Sequence, residues 1–226
     1  MTAATTARPA PTRPLASQWL AAVLLPVGPA AIAVLRLIVP YNTTDDADTV
    51  VRKVTADPAA QSLVVWLGFV GMLTLVPAVL WVARLTRPAA PRTTAAALLL
   101  LIPGYLALGL LVSGDAGLLF GVREHLDPTV LARLFDGVHP TTAVAGGLFV
   151  VGHVAGTVLL GLALWRARAV PRWAAALTTL AQPLHVVAAL VLANHPLDLA
   201  AWAMNAAGFA AAALTILRQS PDHWKE

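Results

Sequence analysis

Six apolar stretches alternate with shorter polar stretches along the chain. Each apolar stretch approaches or exceeds the 20 or so helical residues needed to cross a hydrocarbon core of about 30 Å. The pattern therefore predicts an all-α polytopic membrane protein with six transmembrane helices. We expect these spans at residues 15–39, 58–83, 94–113, 140–165, 173–193 and 198–217.

Two of the polar connections carry a helical pattern of their own. Residues 42–57 place three valines on one helical face, with Thr44 or Asp45 as the N-cap. Residues 127–140 begin with Asp127 as N-cap, and apolar residues follow at helical spacing. We expect two short amphipathic helices on the outer membrane interface. Ordinary structured loops are the alternative.

Composition supports the membrane interpretation. The chain is 58% hydrophobic and 12% charged, whereas a soluble domain is typically about half apolar and about a quarter charged. An isoelectric point near 10.3 would also suit a nucleic-acid-binding protein. However, the basic residues lie at the ends of the apolar runs, where they set membrane topology. We therefore expect a lipid bilayer as partner and no nucleic acid. The absence of cysteine excludes disulfides and a cysteine nucleophile.

The distribution of basic residues predicts which side of the membrane each connection occupies. Fifteen lysines and arginines are present, and ten of them flank the same set of span ends. These ten are Arg8, Arg13, Arg84, Arg87, Arg92, Arg166, Arg168, Arg172, Arg218 and Lys225. By the positive-inside rule those ends are cytoplasmic, so both termini are inside. We expect a multi-pass protein of a bacterial plasma membrane.

The ends of the chain differ from the membrane domain at 15–217. Residues 1–14 are rich in Thr, Ala and Pro and are expected to form a disordered cytoplasmic tail, and residues 218–226 form a second tail. A cleaved signal peptide is the competing interpretation of the N-terminus. The first apolar run continues to Val39, which favours an uncleaved span.

Two membrane hairpins, 58–113 and 140–193, resemble copies of each other. "PRTTAAALLLLIPGY" in the first corresponds to "PRWAAALTTLAQPLH" in the second. The correspondence aligns Tyr105 with His185, each two residues after a proline within a span. Such prolines kink helices and open space between them. Chance similarity between two Ala/Leu-rich segments is the alternative.

Two histidines are expected at mid-membrane depth on neighbouring spans. His153 and His185 each lie 12 or 13 residues from the end of their span. Such a pair suits a pocket for a small lipophilic ligand, a proton relay, or the axial ligation of a b-type haem. Tyr105, Gln182 and Asn205 would lie nearby. The structural alternative is that the histidines only form hydrogen bonds to these residues or to the backbone.

Charged residues near the outer ends of the spans are the second set of candidates. Arg36 and Asp115 are expected to form an ion pair. Asp115, Asp136 and His139 would supply acid/base chemistry in a membrane enzyme acting on a lipid or isoprenoid. The sequence has no P-loop, Gly-x-Ser-x-Gly or His-Glu-x-x-His motif, so no catalytic motif assigns an activity.

A metal site at the outer surface is a weaker hypothesis. His139, His195, Asp136 and Asp198 are residue types that suit zinc, and they lie near the starts of two spans. Proline with a preceding polar cap is also routine chemistry for the start of a helix. We therefore expect no metal site.

The segment "ALWRARAVPRWAAAL" at 163–177 resembles the inner turn of small six-span bacterial membrane proteins grouped as a domain-of-unknown-function family. The length, the number of spans and the acidic loop after the first span are similar as well. The high Ala, Arg and Pro content resembles an actinobacterial protein. This resemblance implies the fold and a membrane location, but it brings no activity.

The leading functional hypothesis is a small lipophilic ligand or cofactor bound in a midplane cavity. The alternatives are the lipid-acting enzyme, a small transporter, and an accessory subunit or homo-oligomer. An accessory subunit predicts that a seam of small residues such as Gly152 and Gly156 faces outwards rather than the protein's own core.

Overall fold

The computed structural model describes residues 15–219, which form an all-helical chain. The helices are α1 (Ala16–Ile38), α2 (Ala47–Ala56), α3 (Pro58–Thr86), α4 (Pro91–Arg123), α5 (Pro128–Asp136), α6 (Pro140–Ala167), α7 (Arg172–Val186) and α8 (His195–Arg218). A π-helical turn, Val187–Val191, continues α7. The predicted all-α fold is confirmed. The tail predicted at 1–14 and residues 220–226 of the second tail lie outside the described residues.

Six of the helices within residues 15–219 are long and apolar enough to cross a membrane: α1, α3, α4, α6, α7 with its π-helical turn, and α8. Their outer surface is apolar as well. Trp66, Leu99 and Val191 are 65%, 75% and 72% exposed. Large exposed apolar surfaces of this kind require a lipid environment. The chain is therefore a multi-pass integral membrane protein.

The six long helices form a closed ring. Starting at α1, each helix packs against the next in the order α1, α3, α4, α6, α7 and α8, and α8 returns to α1. A single apolar core fills most of the interior, with Leu25, Leu75, Leu101, Leu160 and Phe209 fully buried. The two hairpins expected to be copies correspond to α3–α4 and α6–α7, and they meet through α4 and α6. Their duplication stays a prediction.

Helices α4 and α6 pack closely around Gly152 and Gly156. A Cβ atom on Gly152 would lie 2.5 Å from the Leu100 carbonyl oxygen and 2.9 Å from Gly104 Cα. Only glycine permits this approach of two backbones. Towards the end that carries α2 and α5, a Cβ on Gly114 or Gly146 would meet no atom within 4 Å. The space beside these two glycines is therefore unfilled towards that end, which we call the α2/α5 end.

Helices α2 and α5 pack against each other and against the end of α4. Their apolar faces build a second small core that includes Val51, Val54 and Leu131. Asp46 caps α2 by accepting a hydrogen bond of 2.8 Å from the Thr49 backbone N–H, so the expected caps Thr44 and Asp45 are wrong. Both helices are present as expected, but their apolar faces pack against each other and against α4.

Several helix boundaries differ from the expected ones, and two of these differences affect residues of the candidate site. Helix α4 continues to Arg123, ten residues beyond the predicted end, so Asp115 lies inside a helix. Helix α8 begins at His195, because the Asn194 side chain accepts a hydrogen bond of 2.8 Å from the Leu197 N–H and caps it.

Candidate functional site

A cavity of about 380 Å³ lies inside the ring towards the α2/α5 end, and we call it the main cavity. Helices α1 to α8 and the segment after α1 all contribute to its wall, which is mostly apolar. Its polar wall residues are Arg36, Tyr41, Asn42, Thr43, Asp45, Asp115, His153 and His185. A mostly apolar cavity with a few converging polar groups is typical of a small-molecule site.

The two central histidines face each other in the wall of the main cavity. The ring centroids of His153 and His185 are 5.3 Å apart. Trp202 stacks on His153 with centroids 5.7 Å apart and lies edge-on to His185. His153 is 1% exposed, and its Nδ1 donates to the Phe149 carbonyl oxygen on the same helix. In the neutral ring the proton is therefore on Nδ1, and Nε2 is an acceptor without a partner among residues 15–219.

One buried carboxylate connects three helices beside this pair. Asp198 is 1% exposed and accepts hydrogen bonds from Arg36 Nε at 2.6 Å and from His185 Nδ1. Arg36 also donates to Thr43 Oγ1 at 2.9 Å. The expected ion pair between Arg36 and Asp115 is therefore wrong. Because α1 packs against α8, Arg36 pairs with Asp198 instead.

Asp115 has a different set of partners. Its Oδ1 accepts from the Tyr41 hydroxyl at 2.5 Å and from Gln61 Nε2 at 3.0 Å. Burial raises the pKa of Tyr41 well above its usual value, and the neighbouring Asp115 carboxylate raises it further. The Tyr41 phenol thus stays protonated and remains a donor to Asp115.

Three further candidates lie deeper in the bundle. Tyr105, Gln182 and Asn205 are each 0% exposed. Their side-chain polar atoms form no hydrogen bond with any described residue. Gly208 on α8 contacts Thr178 on α7, and this antiparallel register brings Asn205 opposite Gln182. The structural alternative expected hydrogen bonds from the histidines to these three residues or to the backbone. Neither histidine bonds to the three residues, whereas His153 does bond to the Phe149 carbonyl oxygen.

The geometry does not fit a haem between the two histidines. Axial ligation needs an iron and its flat macrocycle between the imidazoles. Here the rings of His153 and His185 are in direct contact, Trp202 stacks on one of them, and His185 Nδ1 is bound to Asp198. Two contacting rings leave no slot for a macrocycle.

The remaining sequence candidates do not line the main cavity. Asp136 and His139 are exposed and absent from its wall. His139 caps α6 by accepting from the Thr141 N–H at 3.3 Å, and His195 Nε2 lies 2.9 Å from Asn42 Oδ1. Within residues 15–219, no three His, Asp or Glu side chains are grouped to hold a metal ion. Of the acid/base candidates, only Asp115 reaches the main cavity.

Trp202, Tyr41 and Gln61 are among the residues of the site that are absent from the sequence-based set. Trp202 could have been found, because Asp198, Trp202 and Asn205 are spaced four and three residues apart on one face of α8. Tyr41 and Gln61 carry no comparable sequence signal, because their role follows from their shared hydrogen-bond partner, Asp115.

The comparisons with known proteins identify a family without an assigned activity. No curated protein and no solved structure matches the chain. One family matches residues 19–217, which include all six long helices apart from their outermost residues. The chain therefore belongs to the family described as Domain of unknown function (DUF4386).

Proposed function

We propose that this integral membrane protein binds a small lipophilic ligand in the main cavity. The observation that carries the proposal is the cavity itself: about 380 Å³, apolar over most of its wall, with His153, His185 and Arg36 converging on it. Its volume lies at the low end of the range for small-molecule sites. The ligand would be small or would occupy the cavity with only part of its length.

Unpartnered polar atoms in the bundle support a ligand rather than a purely structural role. His153 Nε2 and Trp202 Nε1 belong to residues of the cavity wall, and neither has a partner among the described residues. A buried polar atom without a partner costs about 1–3 kcal/mol. A small movement of these rings towards the cavity would let a bound molecule or water with hydrogen-bonding groups remove that cost.

The other functional hypotheses receive less support. A lipid-acting enzyme would use Asp115, but Asp136 and His139 are exposed and lie outside the cavity wall. An accessory subunit would show Gly152 and Gly156 on its outer surface. Both glycines are buried against α4 of the same chain.

Two adjacent glycines of α6 provide a matched test. A Cβ on Gly146 or on Gly147 meets no atom within 4 Å, so both positions accept a larger side chain. Only Gly146 belongs to the wall of the main cavity. Gly146→Leu places four carbons in the cavity, whereas Gly147→Leu places them outside it.

The probe is octanol carrying a photoreactive diazirine, applied to the purified protein in lipid nanodiscs. We expect labelling of cavity-wall peptides in the wild type and in Gly147→Leu. In Gly146→Leu we expect about a tenfold loss of labelling, which corresponds to about 1.4 kcal/mol of binding free energy. Equal labelling of the two variants, or none in the wild type, contradicts the proposal.

A further inference from the structure

Asp115 is a carboxylate of the main-cavity wall that has no positively charged partner. Asp45, in the same wall, accepts from Lys53 Nζ at 2.6 Å. Among the residues that the structure describes, no arginine, lysine or histidine forms an ion pair with Asp115. Its two hydrogen-bond donors, the Tyr41 hydroxyl and the Gln61 amide, are neutral. The charge of Asp115 is therefore available to a ligand of opposite charge.

One oxygen of this carboxylate is open. Both neutral donors bind Oδ1. The second oxygen, Oδ2, accepts no hydrogen bond from the described part of the chain and keeps some accessible surface. Asp115 as a whole is partly exposed and lines the main cavity. Oδ2 can therefore accept a hydrogen bond from a ligand that carries a donor.

Arg36, which brings a positive charge to the same wall, is already paired. Its Nε donates to Asp198 at 2.6 Å, and a neutral His185 ring can donate to the same carboxylate through Nδ1–H. An anionic ligand would find Arg36 occupied and would be repelled by Asp115. A neutral ligand would leave the Asp115 charge uncompensated in a mostly apolar site, which is costly. A cationic ligand offsets that charge.

The composition of the wall favours an organic cation over a metal ion. Aromatic faces attract ammonium groups, and the main cavity is lined by the aromatic residues Tyr41, Phe135, Phe149, His153, His185 and Trp202. The rest of its wall is mostly apolar and suits hydrocarbon. A metal ion would need several ligands, and no group of three His, Asp or Glu side chains within residues 15–219 could hold one.

We propose that the main cavity binds a protonated lipophilic amine, whose ammonium group donates to Asp115 Oδ2 and whose hydrocarbon part packs against the apolar wall. This inference rests on the proposed function and deepens it, since it names the chemical class of the ligand. Alkylammonium groups, like the lysine side chain, stay protonated near neutral pH.

Asp115 also lines a second space, of about 540 Å³, beside α4, α5 and the start of α6. Of the six aromatic residues above, Tyr41 and Phe135 line this space as well, and the other four line the main cavity alone. The aromatic content therefore favours the main cavity. Gly146 lines the main cavity and Gly114 the second space, and a Cβ at either position would meet no atom within 4 Å. Leucine at each position thus distinguishes the two locations.

The first experiment measures whether charge selection depends on Asp115. Diazirine-bearing octanol labels the purified protein in phosphatidylcholine nanodiscs, and unlabelled octanol, octylamine and octanoate compete with it. These competitors have the same chain length and differ in their headgroups. Asp115→Asn keeps an acceptor oxygen for Tyr41 and Gln61 but removes the charge. Asp136→Asn, at an exposed carboxylate that lines neither space, is the matched control.

The readout is the concentration of each competitor that halves the labelling. The ratio of the octanol value to the octylamine value should fall about tenfold in Asp115→Asn, because a charge-assisted hydrogen bond becomes a neutral one. The ratio should stay at the wild-type value in Asp136→Asn. Octanoate should compete better, relative to octanol, once the repulsion by Asp115 is removed. Partitioning of a competitor into the lipid is the same for all variants and cancels in this comparison.

The second experiment locates the amine and does not require that Asp115→Asn folds. Octylamine carrying the diazirine is the probe, and labelled peptides of the cavity wall are quantified by mass spectrometry. Labelling should fall about tenfold in Gly146→Leu and stay within about twofold in Gly114→Leu.

The outcomes separate this inference from the proposed function. An unchanged octanol-to-octylamine ratio in Asp115→Asn overturns the amine and leaves the cavity proposal standing, since Asp115 would then carry a proton of its own. Equal octylamine labelling in Gly146→Leu and Gly114→Leu, or a loss in Gly114→Leu alone, overturns the binding of the amine in the main cavity. Absence of octanol labelling from the cavity wall of the wild type overturns the proposed function and this inference with it.

Discussion

Asp198 shows how a residue's role depends on the neighbours that folding gives it. From the sequence, this carboxylate at the start of a span is a helix-boundary residue or a weak metal candidate. In the structure it is buried and binds both Arg36 and His185. The depth of His153 and His185 can be counted from the ends of their spans. That Arg36 pairs with Asp198 rather than with Asp115 cannot be predicted from the sequence, because this pairing depends on the packing of α1 against α8.

Removing the charge of Asp198 should destabilise the protein strongly. Asp198→Asn leaves the guanidinium of Arg36, which is 16% exposed, without its counter-ion. Breaking a buried ion pair on one side typically costs about 3–5 kcal/mol. We expect a clear fall in the melting temperature of the detergent-solubilised protein. Asp136→Asn, at an exposed carboxylate, is the control and should change stability by less than about 0.5 kcal/mol.

The double variant Arg36→Gln/Asp198→Asn tests whether the cost comes from the unpaired charge. It should be more stable than Asp198→Asn alone, because neither residue then carries a buried charge. If Asp198→Asn melts at the same temperature as Asp136→Asn, the ion pair contributes nothing and the structural role assigned to Asp198 is wrong.

At the scale of elements, apolar runs and polar caps predict the helices well. Pro58 and Pro140 start α3 and α6 as expected, since each follows a capping side chain. The predicted end of α4, at residue 113, is wrong because "SGDAG" at 113–117 resembles a helix end, whereas the helix continues to Arg123. The helix continues since Tyr41 and Gln61 bind Asp115 within it, and since α2 and α5 pack on its last turns. These partners are distant in sequence.

The contact between α4 and α6 should depend on the absence of a side chain at Gly152. A Cβ in Gly152→Ala would lie 2.5 Å from the Leu100 carbonyl oxygen, so the two backbones must move apart. We expect a loss of about 1–3 kcal/mol, measured by thermal unfolding in detergent.

Gly147→Ala on the same helix is the matched control. No atom lies within 4 Å of its Cβ position, and alanine favours the helix by up to about 1 kcal/mol over glycine. Its melting temperature should stay the same or rise. A Gly152→Ala variant as stable as this control would show that α4 and α6 do not approach so closely.

For the whole molecule, hydropathy predicts six helices but not their arrangement. The ring order α1, α3, α4, α6, α7, α8 follows from packing between small side chains, which are common throughout this sequence. The main cavity follows from how the helices pack, so it had no sequence signal beyond the prolines and glycines. Basic residues carry the strongest remaining sequence signal, which concerns the orientation in the membrane.

That orientation gives a direct experiment, because the chain contains no cysteine. Ala56, at the end of α2, and Ala89, between α3 and α4, are both exposed and lie on opposite ends of the bundle. Arg84, Arg87 and Arg92 flank Ala89, so the positive-inside rule predicts that Ala89 is cytoplasmic. In intact cells, a membrane-impermeant maleimide should label Ala56→Cys and leave Ala89→Cys unlabelled until the cells are permeabilised. The reverse pattern would invert the topology. It would also place the α2/α5 end, towards which the main cavity lies, on the cytoplasmic side.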